Sequence, residues 1–393
     1  MNLPLDDAVA ATSATLLDPQ FAPAWVRVST DTRSTDAGDT FLALHGERFD
    51  GHDFVADAVA RGAHMIVVDR ADARCDGVAT MVVEDTLRAY MALAALARER
   101  FEGRILAITG SAGKTTCKVF AAQLLTAHYG ERIAVAPANE NNEIGVSRLL
   151  LGASNEAHDA IVVEMGARRY GDVAELVAIA RPHVGILTNV GDAHLEIAGS
   201  RERIAEMKWA LFGAGAQAVL NARDAVSLAR AETLPASPHW FLADDDPGAD
   251  AGGFGRVTAL LARSHLIDVA GGRRIFDRHV RIAFPGAHNA ANLAAALAGA
   301  VELGADLAAM SDVIPALRLP PGRYESIEMP GGWRMIYDAY NASPGGMVAA
   351  LDALANEEAS RTIAVLASMA ELGTEAVPLH ERVGAHAAGR AGV

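Results

Sequence analysis

The chain has 393 residues, 51% hydrophobic, 21% charged and 5% aromatic, with 34 Lys plus Arg against 49 Asp plus Glu and a formal net charge of −15. That length predicts two or three domains at ~100–200 residues each, and the acidic balance argues against a general binder of nucleic acid or anionic membrane. Cys75 and Cys117 form neither a CxxC pair nor a metal-ligand spacing, the start carries Asp6 and Asp7 without a basic region, and no apolar run approaches ~18 residues; a disulfide framework, a signal peptide and a membrane span are disfavoured, and a reducing cytosol fits best.

In chain order, residues 1 to about 98 read as a first unit, with TFLAL (Thr40–Leu44) and HMIVVD (His64–Asp69) as short buried strands. Helical periods cover Phe54–Ala60 and Leu87–Arg98, and the polar, Gly-rich stretch Gly46–Phe54 is loop chemistry. After the charged segment Arg98–Gly103, RILAIT (Arg104–Thr109) is a continuous apolar strand that runs into GSAGKTT and a helix over Lys114–Ala127. The same rhythm returns with AIVVEM (Ala160–Met165), a helix from Asp172, VGILTNV (Val184–Val190), a helix near Arg201–Phe212, and AVLN (Ala218–Asn221). Strands alternating with helices at this spacing imply parallel βαβ units in a doubly wound sheet. From about Arg256 to Phe284 the pattern changes to short alternating runs broken by Gly271-Gly272, as in an antiparallel insert, followed by a helix over Asn289–Leu303. Leu319-Pro320-Pro321-Gly322 marks a second boundary. Beyond it, WRMIYDAY, a helix over Gly345–Asn356, TIAVLAS and a helix from about Val377 look like another open α/β unit.

The strongest chemical signal is Gly110-Ser111-Ala112-Gly113-Lys114-Thr115-Thr116 between a strand and a helix. Glycines let a backbone curl its N–H groups around phosphate oxygens, the helix N-terminus adds partial positive charge, and Lys114 adds a full one. Thr115 or Thr116 can place a hydroxyl on Mg²⁺. Ile108 stands where the longer G-x-x-x-x-G-K-[ST] form has its first glycine. A Gly-rich turn with a surface lysine is the bland alternative; the flanking strand and helix favour nucleotide phosphate.

Glu164 ends the AIVVE strand and His194 follows VGILTNV within NVGDAHLE, so both fall on the carboxyl edge of the sheet that carries Lys114. A lone histidine after a strand is more often structural, but two candidates at equivalent positions of successive βα units favour a site. The amide run Asn139-Glu140-Asn141-Asn142-Glu143-Ile144-Gly145 reads by itself as a loop or helix cap. His288-Asn289-Ala290-Ala291-Asn292 opens a helix, so capping competes with amide contacts to a base edge from Asn289 and Asn292.

Taken in order, GSAGKTT, NENNEIG, VEMG, TNVGDAHLE, Lys208, GAHNAAN, GRYE, YDAYNASP and MAELG resemble the Mur ligase family of peptidoglycan synthesis. The likeness runs from about Val28 to the last residues. YNASP is similar to the YNANP of members that add D-Ala-D-Ala to UDP-N-acetylmuramoyl-tripeptide. The resemblance implies an α/β fold of three domains: 1–98 for the UDP-muramoyl substrate, 99–318 with a central P-loop doubly wound parallel sheet for ATP, and 319–393 as an incomplete Rossmann-like domain for the dipeptide. It implies an ATP-dependent ligase working through an acyl phosphate, cytoplasmic and monomeric, with ATP and Mg²⁺ and with neither nucleic acid nor membrane insertion.

The residues it implies follow the motifs. Gly110, Ser111, Ala112, Gly113, Lys114, Thr115, Thr116, Asn292, Arg323 and Asp338 match the ATP site. Ser29, Thr30, Asp31, Arg33, Asn141, Asn142, Tyr340 and Asn341 match substrate contacts. Lys114, Glu164, His194 and Lys208 match the catalytic set, with Thr115, Glu164, His194 and Lys208 near metal and Lys208 carried as a carbamate. The sequence departs from the family at Trp209-Ala210 after Lys208, at Tyr337 before YNA, and at Leu366–Met369, where an acidic residue is missing. It also stops at Val393, inside the implied third domain, so the expectation is a fragment, or a weakened enzyme that binds ATP and UDP-tripeptide but turns over slowly. The rivals are another Mur step or a folate polyglutamate synthetase, a non-catalytic nucleotide or UDP-sugar binder, and, weakest, a generic P-loop kinase.

Overall fold

The computed structural model describes residues 1–46, 49–137, 139–192, 195–244, 254–261, 273–281, 284 and 286–390. The chain forms two compact units: Met1–Gly103 with Glu140–His158 and Ala178–Arg181, and Arg104–Asn139 with Asp159–Val177 and the chain from Pro182 onward.

In the first unit a five-stranded sheet runs in the order Thr15–Leu17, Ala79–Val82, Met65–Val68, Thr40–Leu42, Val28–Ser29. Only the Thr15–Leu17 strand is antiparallel to its neighbour. The two expected strands are present as Thr40–Leu42 and Met65–Val68, every residue buried, as parallel strands covered on both faces require. The helix Thr86–Arg100 starts where the Asp85 side chain accepts from the Arg88 N–H at 2.8 Å. It buries Ala89, Leu93 and Ala97 on one stripe beside Tyr90 and Ala94. Against it packs the helix Glu143–Gly152, capped by Asn142 Oδ1 accepting from the Gly145 N–H at 2.9 Å. The cap reading of the amide run is therefore realised at Asn142.

The second unit is built on an eight-stranded sheet in the order Arg273–Arg281, Phe254–Leu261, His239–Asp244, Gln217–Asn221, Val184–Leu187, Arg104–Thr109, Ala160–Glu164, Ile133–Val135. The last six are mutually parallel, and the first two extend the sheet antiparallel. The expected insert thus forms the edge of the main sheet. After Arg104–Thr109 the chain moves towards the Ile133–Val135 edge, whereas after its neighbour Val184–Leu187 it moves the opposite way, to Gln217–Asn221. Neighbouring strand ends that diverge in this way leave a crevice at the carboxyl edge, which is where ligands bind in such sheets.

One face is covered by the helices Lys114–Tyr129 and Ala287–Glu302. Leu106, Ile108, Val162, Val184 and Ile186 meet Phe120, Leu124, Leu293 and Leu297 there, and Phe120 stacks on Phe284 at 4.8 Å between ring centres. Each such Leu, Ile or Phe contributes ~1.5–3 kcal/mol on burial. The alanine run of the second helix lets it lie close: a Cβ at Gly299 would come within 2.5 Å of Ile186 Cδ1.

Two expectations fail on sheet edges. VGILTNV leaves the sheet at Leu187, because Thr188–Gly191 turn onto the glycine-rich loop. TIAVLAS enters no strand: among the described residues the hairpin Glu325–Met329 with Trp333–Tyr337 pairs only with itself, and Ile363 and Val365 lie exposed at 66% and 93%. The hairpin also ends WRMIYDAY early, at Tyr337. The helices Pro344–Ala355 and Ala376–Gly389 do form, around a small core of Leu351, Met369, Leu372, Leu379 and Val383.

Candidate active site

The glycine-rich loop leaves the Arg104–Thr109 strand at Gly110 and enters the Lys114–Tyr129 helix at Gly113. Gly113 has φ +82°, a left-handed value, and a Cβ there would lie 2.2 Å from Asn292 Oδ1. At Gly110 a Cβ would lie 1.9 Å from Thr188 Oγ1. Cys117 N–H donates to Gly113 carbonyl at 2.8 Å, so the helix begins here and supplies no acceptor for its first-turn N–H groups. Those donors and the helix dipole suit an anion. Two of the loop's N–H groups are used differently from expectation. Ser111 N–H donates to the Asn189 carbonyl at 2.9 Å, and Ala112 N–H to Asn189 Oδ1 at 3.1 Å.

Lysine ammonium groups crowd this loop. Lys114 Nζ donates to the Gly110 carbonyl at 2.8 Å, and Lys208 Nζ, 98 residues beyond Gly110 in sequence, to the same oxygen at 3.2 Å. Burial pushes the Lys114 pKa down, partly offset by Glu164. Burial, then the charge of Lys114, holds Lys208 well below the ordinary lysine range. Lys118, which sequence reasoning missed, is 2% exposed and donates to the Ala136 carbonyl at 3.0 Å. Its Nζ lies 3.9 Å from Glu164 Oε2, and Glu164 is itself 2% exposed at the end of its strand. Lys118 and Lys114 thus face the buried Glu164, and Lys208 meets Lys114 at the Gly110 carbonyl, an arrangement of amines that a polyanion would suit.

The donors also fit a hard divalent cation. Thr115 brings a hydroxyl at the helix start and Glu164 a buried carboxylate. Among the described residues no group of three or more His, Cys, Asp or Glu could hold a metal. One hydroxyl and one carboxylate suit Mg²⁺, which is commonly bound by one or two carboxylates together with substrate phosphates and water. His194 lies outside the described residues.

Asn289 and Asn292 sit inside the Ala287–Glu302 helix, 2% and 7% exposed, and the helix cap is Gly286 with no side-chain hydrogen bond. Neither asparagine is therefore the N-cap residue. Asn292 instead packs against Gly113. Arg323 stacks on the Tyr340 ring at 4.2 Å. Its Nε is buried with no hydrogen-bond partner among the described residues, and burial lowers its pKa against the opposing pull of Asp338. Asp338 Oδ1 accepts from the Tyr324 N–H at 3.2 Å, while Tyr340 and Asn341 are exposed.

In the first unit Asp31 folds back on its own turn. Its carboxylate accepts from the Arg33 N–H at 3.0 Å and from Arg33 Nη2 at 2.6 Å, and its carbonyl accepts from the Thr35 hydroxyl at 3.0 Å. Hydrogen bonds from Arg33 bring the Asp31 pKa down to about 2. Ser29 Oγ meets Thr35 Oγ1 at 3.0 Å. Thr30 and Arg148 reach the Tyr90 hydroxyl, whose pKa burial pushes up to about 12. Asn141 adjoins the capping Asn142.

Family models match residues 26–100 (Mur ligase family, catalytic domain), 108–300 (Mur ligase middle domain) and 322–393 (Mur ligase, glutamate ligase domain). The chain is 38% identical to a UDP-N-acetylmuramoyl-tripeptide–D-alanyl-D-alanine ligase of Synechocystis, over 91% of this chain and 76% of the relative. It is 34% identical to the Escherichia coli K12 protein of the same name, over 93% and 79%. Among solved structures it resembles MurF from Acinetobacter baumannii with a TM-score of 0.83 at 28% identity, over 98% of this chain and 83% of that one. A Thermotoga maritima MurF solved with ADP gives 0.76 at 28% identity, over 92% and 81%.

Proposed function

The chain belongs to the Mur ligase family, and from that premise we propose how it works: it joins D-alanyl-D-alanine to UDP-N-acetylmuramoyl-tripeptide at the expense of ATP, in peptidoglycan precursor synthesis. The observation that carries the reading is the glycine-rich loop whose Gly110 carbonyl gathers Lys114 and Lys208 beside buried Glu164, in a chain more than 30% identical to such ligases over nine-tenths of its length.

The terminal carboxylate of the tripeptide attacks the γ-phosphorus of ATP; the β–γ bridging P–O bond breaks, and ADP leaves. The amine of the dipeptide then attacks the acyl phosphate carbonyl, loses a proton, and expels phosphate as the amide forms. A carboxylate approaching a polyphosphate is opposed by charge, so the protein's part is neutralisation and alignment. Lys114 and the first-turn N–H groups hold the phosphates. Arg323, with its buried Nε, is a further donor for ATP beside Asp338. Asn292 is assigned to adenine, close enough to Gly113 to register base and phosphates together.

Thr115 and Glu164 would hold Mg²⁺, with His194 and a carbamate on Lys208 as further ligands. The cation supplies charge neutralisation for the phosphates. What supports a carbamate is the electrostatics. Lys208 is held as a poorer base than usual by burial and by Lys114, which favours the neutral amine that adds to CO₂. The product is an anion where a second cation would repel both Lys114 and metal.

The substrate halves are assigned by segment: 1–98, with Ser29, Thr30, Asp31 and Arg33, to the UDP-muramoyl part; 99–318 to ATP; 319–393, with Tyr340 and Asn341, to the dipeptide. Asn141 and Asn142 are assigned to the substrate as well, Asn142 with its Oδ1 already held by a helix cap. The test is a coupled phosphate-release assay in which D-Ala-D-Ala is replaced by diaminopimelate or by glutamate. Release with D-Ala-D-Ala alone is expected; release with either substitute instead would move the chain to another ligase step.

A further inference from the structure

We propose that Asn189 is the positioning residue of the phosphate loop, an inference that rests on GSAGKTT being the ATP phosphate site. The strand before it ends at Leu187, and the next four residues turn onto the loop instead of extending the sheet. Asn189 then makes three hydrogen bonds to two loop residues. Its Oδ1 accepts from the Ala112 N–H at 3.1 Å, its Nδ2 donates to the Ala112 carbonyl at 3.1 Å, and its own carbonyl accepts from the Ser111 N–H at 2.9 Å. The Thr188 hydroxyl adds a donor to the same Ala112 carbonyl at 2.6 Å. On the far side, Ser111 Oγ accepts from the Gly191 N–H at 2.8 Å.

Both backbone polar groups of Ala112 are therefore held by one carboxamide. Only a side chain with a donor and an acceptor on the same short planar group can do this; Asp offers acceptors alone, and Ala offers neither. The held residue immediately precedes the left-handed Gly113 turn, where Asn292 fills the space a side chain would need. With Ala112 fixed on one side and Gly113 blocked on the other, the start of the helix and Lys114 have one placement relative to the sheet. Asn189 thus sets where the phosphates are met, acting through the loop.

The experiment compares wild type, Asn189→Ala and Asn189→Asp by ADP titration calorimetry and by steady-state kinetics in each substrate. Losing the two side-chain hydrogen bonds should weaken ADP binding and kcat/KM for ATP about tenfold or more in Asn189→Ala. Asn189→Asp, of nearly the same size, should lose more, because a second acceptor faces the Ala112 carbonyl. KM for the UDP-tripeptide should not move. A residue that served only stability would lower the active fraction and kcat while leaving every KM and the ADP affinity of the folded protein unchanged; that result overturns the proposal. If Asn189→Ala does not fold, Asn189→Asp decides by the same criterion. Failure of wild type to bind ADP would instead remove the reading of the loop itself.

Discussion

The ammonium groups of Lys114 and Lys208 converge on a single oxygen, the Gly110 carbonyl, at 2.8 and 3.2 Å. Two charged amines this close repel, and burial removes the water that would screen them. The arrangement makes sense if one amine gives up its charge or if a polyanion fills the pocket. Ligase chemistry with ATP would supply the second, and the carbamate proposed for Lys208 would supply the first.

Lys208→Ala should be inactive and partly rescued by short carboxylic acids that restore an anion to the vacated space. Phosphate release measured with and without formate or acetate checks this. Full activity without additive would sink the carbamate.

Lys114→Ala should lower turnover by about 10²–10³-fold, the order found when one key charge-stabilising donor is removed. Its thermal midpoint should not fall, because burying the Lys114 ammonium opposes folding. Near-normal phosphate release would show that Lys114 does not carry the phosphates.

Gly113→Ala combines a left-handed backbone with a Cβ placed 2.2 Å from Asn292 Oδ1. The backbone term alone costs ~1–2 kcal/mol, and the displaced Asn292 should weaken nucleotide binding further. Urea unfolding and ADP titration measure the two effects. A variant with unchanged stability and affinity would contradict this packing.

Asp31 offers a pH test in the first unit. Its folded pKa of about 2 lies below the ordinary ~3.9, so stability from the Arg33 contact is complete above the ordinary value and is lost as pH falls through about 2. Carboxyl ¹³C titration should find that low midpoint, and Arg33→Ala should return it towards the ordinary value. The pair is exposed, so its effect on neutral-pH stability should be small. An unchanged midpoint in Arg33→Ala would show that Arg33 is not the cause.

Much of this was legible in the sequence because its signals are local. RILAIT is a strand over the residues expected, and GSAGKTT joins that strand to its helix with Gly113 in the conformation a glycine permits. What stayed hidden depends on contacts across the chain. Lys118 looks like a surface helix lysine until the Ala136 carbonyl and Glu164 close over it. Asn189 looks like the end of a strand until it folds onto Ala112. TIAVLAS has the apolar content of a strand, but a strand also needs an edge to pair with, and local pattern does not reveal whether one is there. The same limit applies to the Asn289 pair, where a cap and a buried amide share one local sequence.

The most direct test of the account follows oxygen. UDP-N-acetylmuramoyl-tripeptide labelled with ¹⁸O in its terminal carboxylate is incubated with ATP, D-Ala-D-Ala and the protein, and the released phosphate is analysed by mass spectrometry. An acyl phosphate transfers one carboxylate oxygen to phosphorus, so each phosphate released from fully labelled substrate should carry one ¹⁸O, matched by one amide product. Phosphate without the label would mean that water, and not the peptide carboxylate, attacks ATP, and the ligase mechanism would be wrong.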